Sequence, residues 1–172
     1  MNISSGSILI SSPSMNDDPY FGKAVVFIVE HNEKGSLGFV LNKLFGRKFN
    51  DLAEFKHSKP FPLYAGGPVE RDSLFLLHKK LDVIVNSLPV TGQVGMGGDF
   101  KQVVALMDDK IITEDDVKLF IGYSGWDYGQ LEAEINEGSW LVVDAPPQTI
   151  FSTRTAFLWE ELFERKTLLS FN

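Results

Sequence analysis

The chain has 172 residues, 44% of them hydrophobic and 23% charged, with a net charge of −7 and a pI near 4.9. That length suits a single domain spanning residues 1–172 with a proper core, and the acidic balance disfavours direct DNA binding, which needs clustered Lys and Arg on phosphates. No cysteine is present, which excludes disulfides, thiolate chemistry and cysteine-held zinc or iron–sulfur centres.

Residues 1–13 (MNISSGSILISSP) lack the basic and long apolar regions of a signal peptide. The longest apolar run, residues 24–29, is far short of a membrane span, so the expectation is a cytoplasmic protein with no membrane contact. Residues 7–11 (SILIS) read as a first strand stopped by Ser12-Pro13, and Asn16, Asp17, Asp18 and Pro19 read as a turn. Residues 24–30 (AVVFIVE) form a strand-length apolar run, which predicts burial of both faces. A turn at residues 31–35 then returns the chain through 36–41 as a hairpin partner.

Residues 50–55 suit one or two helical turns with Asn50 as N-cap, ended by Pro60 and Pro62. Residues 64–69 read as a bend, 73–78 and 82–85 as short strands, and the glycine-rich stretch 93–98 resists assignment. Capping-box spacings then predict three helices: from Asp99 with Gln102, a short one from Thr113 with Asp116, and one from Asp127 with Gln130. The last puts Leu131 and Ile135 on one face and Gly138 at its end. A strand over 118–123 precedes it, running into a tight Ser124-Gly125 turn, and a strand over 140–143 follows. After Pro146-Pro147, Ser152 or Thr153 caps a last helix through Arg165 that buries Phe157, Leu158, Leu162 and Phe163. Strands come early, helices mostly late, with no regular βα alternation, which predicts an α+β fold.

Four stretches together resemble the YqgE/AlgH family of bacterial proteins. They are GSILISSPSMNDDPYFGKAVVFIVEHNEKGSLGFVLN (6–42), YAGGPVERDSLFLLH (64–78), GYSGWDYGQLEAEI (122–135) and FLWEELFERK (157–166). The resemblance implies a bent, split, mostly antiparallel β-sheet forming a pseudo-barrel flanked by helices. It also implies the label of transcriptional regulator, from a link to alginate production in pseudomonads, with no reaction assigned to the family as a whole. Val29 stands where many members carry Cys, and Asp127-Tyr128 replaces a more usual Gly-Pro pair.

The candidate ligand-binding residues are Asp18, His31, Asn42, Gly66, Gly67, Tyr123, Trp126, Gln130 and Glu132. The segment 125–130 suggests a strand end facing a helix N-terminus that attracts an anion, although a packing corner built on Trp126 and a capping Asp127 explains it more simply. His31 is the best single side chain for proton transfer, against the plainer role of a turn histidine bonded to backbone. Gly66 and Gly67 suggest a phosphate cradle but lack the Lys-Ser/Thr of a P-loop, and a structural bend is the better reading. No catalytic residue, metal site or cofactor is assigned. The leading expectation is a binding or regulatory module acting through a protein partner or a small anionic ligand, with any control of transcription indirect. The alternatives are an enzyme acting on an anionic or nucleotide-like molecule near His31 and Trp126, with Asp18 and Glu132, and a purely structural protein.

Overall fold

The computed structural model describes residues 2–170. Ten strands form one bent and split sheet, organised on a long strand, β9 (Val117–Trp126). The first half runs outward from it through β3 (Gly35–Val40), β2 (Val25–Asn32) and β1 (Ile8–Ser11) to β10 (Trp140–Val143). The second half runs through β6 (Val69–His78) and β8 (Gly95–Met96) to β7 (Leu88–Pro89). β5 (Pro62–Ala65) lies against the first part of β9 and carries β4 (Leu44–Lys48) outside it. Every pairing is antiparallel except β5 with β9. The sheet curls into a half-barrel with three helices, the α+β architecture that the sequence predicts.

Side-chain alternation sorts the interior into three cores. Ile8, Ile10, Val25, Phe27 and Phe39 meet Leu158, Trp159 and Leu162 of α3 (Leu158–Ser170) on one face. Leu9, Val26, Ile28 and Val40 meet Trp126, Trp140 and Leu131 of α2 (Gln130–Asn136) on the other. Leu63, Leu76, Leu119 and Ile121 pack on Val103 and Met107 of α1 (Phe100–Asp108). Val25 through Val29 are all buried, as the unbroken apolar run predicts.

Several local readings are corrected. Residues 82–85 form a turn, not a strand: Val83 N and Ile84 N both donate to the Lys80 carbonyl, and Val85 is 55% exposed. Ser124-Gly125 does not turn, because β9 continues through it in register with Leu37 and Gly38 of β3. The Thr113–Asp116 box closes a turn with Asp116 Oδ2 accepting from Thr113 N at 3.0 Å, and β9 begins immediately afterwards, leaving no room for a helix. Asp127 is not the N-cap of α2; Gly129, at φ +82°, is, and only the Gln130 side chain closes back, accepting from Asp127 N at 2.9 Å. Asn50 lies inside a short 3-10 turn (Phe49–Asp51) entered from Lys48, and Pro62 starts β5 rather than ending structure. The 64–69 bend is the end of β5 and the start of β6, joined through Gly66-Gly67. The last helix begins at Leu158, beyond Ser152 and Thr153, and leaves Phe157 68% exposed; Trp159 takes the buried place. The cap of α1 is as expected, with Asp99 accepting from Gln102 N, and Gly138 ends α2 at φ +85°.

Candidate functional site

Four of the nine candidate residues build one corner of the molecule. Asp18 Oδ1 accepts from Tyr20 N at 2.9 Å and Phe21 N at 2.8 Å, which fixes the turn before β2 and holds out Tyr20. Asn42 follows β3 and clips this turn to the sheet: its Oδ1 accepts from Val25 N and its Nδ2 donates to the Lys23 carbonyl, each at 2.9 Å. Its neighbour Lys43 donates from Nζ to the Gly22 carbonyl. Gly66 and Gly67 bring the β5–β6 connection flat against β9, where a Cβ would lie 2.3 Å from the Gly122 carbonyl oxygen or 2.2 Å from that of Tyr123. The Gly66 amide donates to the Ile121 carbonyl, and its own carbonyl accepts from Val40 N and Ser124 Oγ.

These supports surround a cleft of about 230 Å³ whose lining includes Tyr20, Val40, Lys43, Phe45, Gly67 and Arg71. The Arg71 guanidinium lies over the Tyr20 ring, 5.9 Å from its centroid. Among the described residues the one side-chain ion pair within 4 Å is His31 with Glu132, so Lys43 and Arg71 line the cleft without a carboxylate partner. Burial lowers the Lys43 pKa from the ordinary lysine value; the charge of Glu160 opposes this and that of Lys23 adds to it. Tyr20, Lys43 and Arg71 were absent from the sequence-derived set, although Lys43 directly follows Asn42 at the end of the hairpin motif.

The other five candidates sit around the end of β9 and α2. His31 pairs across the hairpin with Ser36, and its Nδ1 lies 2.6 Å from Ser36 Oγ while its Nε2 lies 3.4 Å from Glu132 Oε2. Glu132 Oε1 is buried without a partner. Ser36 was missed in the sequence, yet a tight hairpin at 31–35 puts it opposite His31 by register alone. Trp126 is core: its indole N–H donates to Glu134 Oε1 at 3.2 Å, and that oxygen also accepts from Trp140 at 3.1 Å. Tyr123 packs edge-on against Phe75 and lines a 380 Å³ depression together with Ser36 and Trp126. Gln130 is spent on closing α2, a helix of seven residues. Among the described residues no three His, Asp or Glu side chains gather as a metal site, and no helix is long and apolar enough to cross a membrane.

With this geometry in place, comparison with known proteins gives a consistent result. The profile of a family described as AlgH-like matches residues 8–168. The UPF0301 protein of Chlorobaculum tepidum is 37% identical over 161 residues, an overlap of 94% of this chain and 86% of that protein. The solution structure of the AlgH protein from Pseudomonas aeruginosa is similar at a TM-score of 0.71 and 29% identity, covering 98% of this chain and 92% of that one. The crystal structure of protein DIP2367 from Corynebacterium diphtheriae has a TM-score of 0.75 at 23% identity, over 96% of this chain and 88% of that one, and bears on the fold alone.

Proposed function

This chain belongs to the AlgH-like family, and from that premise we propose that it is a ligand-responsive binding module. Its ligand is a small anion held between Lys43 and Arg71, and its output is contact with another protein. The observation that carries this reading is the presence of two cations on one 230 Å³ cleft, neither with a carboxylate within 4 Å among the described residues, in a chain of net charge −7. Arg offers a planar fork of donors and Lys a compact charge, a combination suited to a phosphate or carboxylate group. Drug-sized ligands occupy about 300–1,000 Å³, so the cleft takes the charged end of a molecule rather than a whole nucleotide. Control of transcription is indirect on this reading, since the acidic surface opposes a phosphate backbone.

Calorimetry and thermal shift with inorganic phosphate, sugar phosphates, mononucleotides and small carboxylates provide the test. One anion class should raise the melting temperature, and Lys43→Ala and Arg71→Ala should each weaken it by about tenfold or more, the usual worth of a charge-assisted contact. Glu132→Gln should leave it unchanged. An anion also restores the proton that burial disfavours on Lys43, so binding takes up protons and weakens as pH rises through the free-state Lys43 pKa. Equal affinity in the Lys43→Ala/Arg71→Ala double variant would remove the cleft from the reading.

The line of Ser36, His31 and Glu132 favours a second reading, in which His31 draws the proton from Ser36 Oγ for attack on an acyl group. A fluorophosphonate that labels Ser36 in the native chain but not in His31→Ala would support it. An unlabelled Ser36 makes the same line a clamp between the hairpin and α2.

A further inference from the structure

A separate hollow lies beneath the loop joining β7 and β8. It measures about 520 Å³, and its lining includes Leu81, Val94, Pro147 and Phe151 with Lys79 and Asp82. A second hollow of about 380 Å³ shares Gly92, Gln93, Val94 and Pro147 with it and reaches the core side chains Ile8, Phe27 and Ile150. We propose that this paired hollow is a binding site for a small amphiphile with an apolar chain and a single carboxylate, distinct from the Lys43–Arg71 cleft.

The apolar part follows from the floor. Ile8, Ile150 and Phe151 of the first core border the hollows and keep 5%, 3% and 6% of their surface exposed, so an occupant would cover the last open edges of that core. Contact of that kind removes apolar surface from water on both partners. The combined space falls in the range of small-molecule sites. The loop above it is shaped by its own bonds: Thr91 Oγ1 accepts from Gln93 N at 3.2 Å and Val94 N at 3.1 Å, and Val90 N donates to the Val94 carbonyl at 2.8 Å.

The head group follows from the charges. Lys79 Nζ lies over the Phe151 ring, 5.8 Å from its centroid, and among the described residues has no carboxylate within 4 Å. Asp82 borders the same hollow. Lys79 offers a single cation to a head group, and the Asp82 carboxylate on the same lining opposes further negative charge, which favours a carboxylate over a doubly charged phosphate monoester.

The test uses decanoate, with 1-decanol and decyl phosphate as controls. Gly92 is a clean place for a bulky side chain at the shared rim: it borders both hollows, its φ is not left-handed, and a Cβ built there meets nothing within 4 Å. Decanoate should raise the melting temperature and perturb amide resonances at residues 79–82, 91–94 and 147–151. Decanol should bind at least about tenfold more weakly, as the loss of a charge-assisted contact predicts. Lys79→Ala should erase the difference between acid and alcohol, and Gly92→Trp should abolish both. Should Gly92→Trp fail to fold, the amide map of the wild-type chain decides alone. Perturbations centred elsewhere, decanoate binding that survives Gly92→Trp, tighter binding of decyl phosphate, or no response to decanoate would each overturn the proposal.

Discussion

Lys118 occupies a position on β9 that alternation gives to a core side chain. It is 3% exposed, its Nζ donates to the Ser152 carbonyl at 3.0 Å, and the ammonium stands 4.2 Å from the centroid of the Tyr64 ring. Burial pushes its pKa down from 10.5 to about 7. The folded chain therefore binds fewer protons at this site than the unfolded chain between those values. The associated stability is present above the unfolded pKa and is lost as pH falls toward the folded one. Lys118→Met keeps the length and removes the titration, so it should be more stable at pH 7 by roughly 1–4 kcal/mol, as when buried charges give way to apolar side chains. That advantage should shrink by pH 9.5. Urea melts of both chains at the two pH values check it, and parallel pH dependence would show that Lys118 does not titrate in this window. No sequence pattern marks this lysine. It follows Val117 and precedes Leu119 as any edge lysine might, and the Ser152 carbonyl and the Tyr64 ring, both distant in the chain, meet its ammonium. The cleft cations share this illegibility: Lys43 and Arg71 are far apart in the chain, and only the folded molecule sets both on one cleft. Asp18 stands out in the sequence as a turn former whose short side chain bonds the backbone just ahead of it, whereas Asn42 reaches back to Val25 N and the Lys23 carbonyl, and both have the supporting role the geometry shows.

α2 is a short element held by one carboxylate. Glu134 Oε1 accepts both the Trp126 and the Trp140 indole N–H, joining the helix to the end of β9 and to β10, while Phe21 packs against both rings. Both indoles are nearly buried, at 6% and 1% exposure, so neither N–H has ready access to water as a substitute. Glu134→Ala should cost about 3 kcal/mol, as expected when a charged acceptor is withdrawn from buried donors. Glu134→Gln keeps an oxygen in place and should cost about 1 kcal/mol. Chemical denaturation with near-ultraviolet circular dichroism of the tryptophans measures both, and equal losses would mean that the contact is packing alone. The same element shows what a sequence can specify. Leu131 on the core face and Gly138 at the end were legible because helical spacing and a left-handed cap are local properties. The start was not, because Asp127 and Gln130 satisfy a capping pattern while the sheet holds Trp126 and delays the helix to Gly129. β4 and β5 escaped notice for a similar reason. Their glycine and proline content argues against strands, and the neighbouring strand supplies the pairing that composition withholds.

At the scale of the whole molecule, β9 makes the two halves of the sheet into one object. Its first part is bonded on one side to β6 and on the other to β5, and its last residues switch to β3. Phe120 faces the α3 core while Leu119 and Ile121 face the α1 core, so the two share a backbone as well as a strand. The family resemblance implied the curled sheet, but the residues alone did not, because shared use of one strand is a long-range property absent from any window of sequence. Trp126 and Trp140 lie in the α2 core and Trp159 in the α3 core, whereas the α1 core contains phenylalanines and no tryptophan. Tryptophan fluorescence therefore reports the α2 and α3 cores and not the α1 core, and far-ultraviolet circular dichroism reports the whole sheet. Met107 is 1% exposed in the α1 core, and Met107→Ala should cost about 2–5 kcal/mol through lost contact and the cavity left behind. If β9 enforces a single cooperative transition, that substitution should move the fluorescence midpoint and the dichroism midpoint by the same amount. A dichroism curve that splits in two, with the tryptophan transition left at its wild-type position, would show instead that the halves unfold separately and that β9 joins them without coupling them.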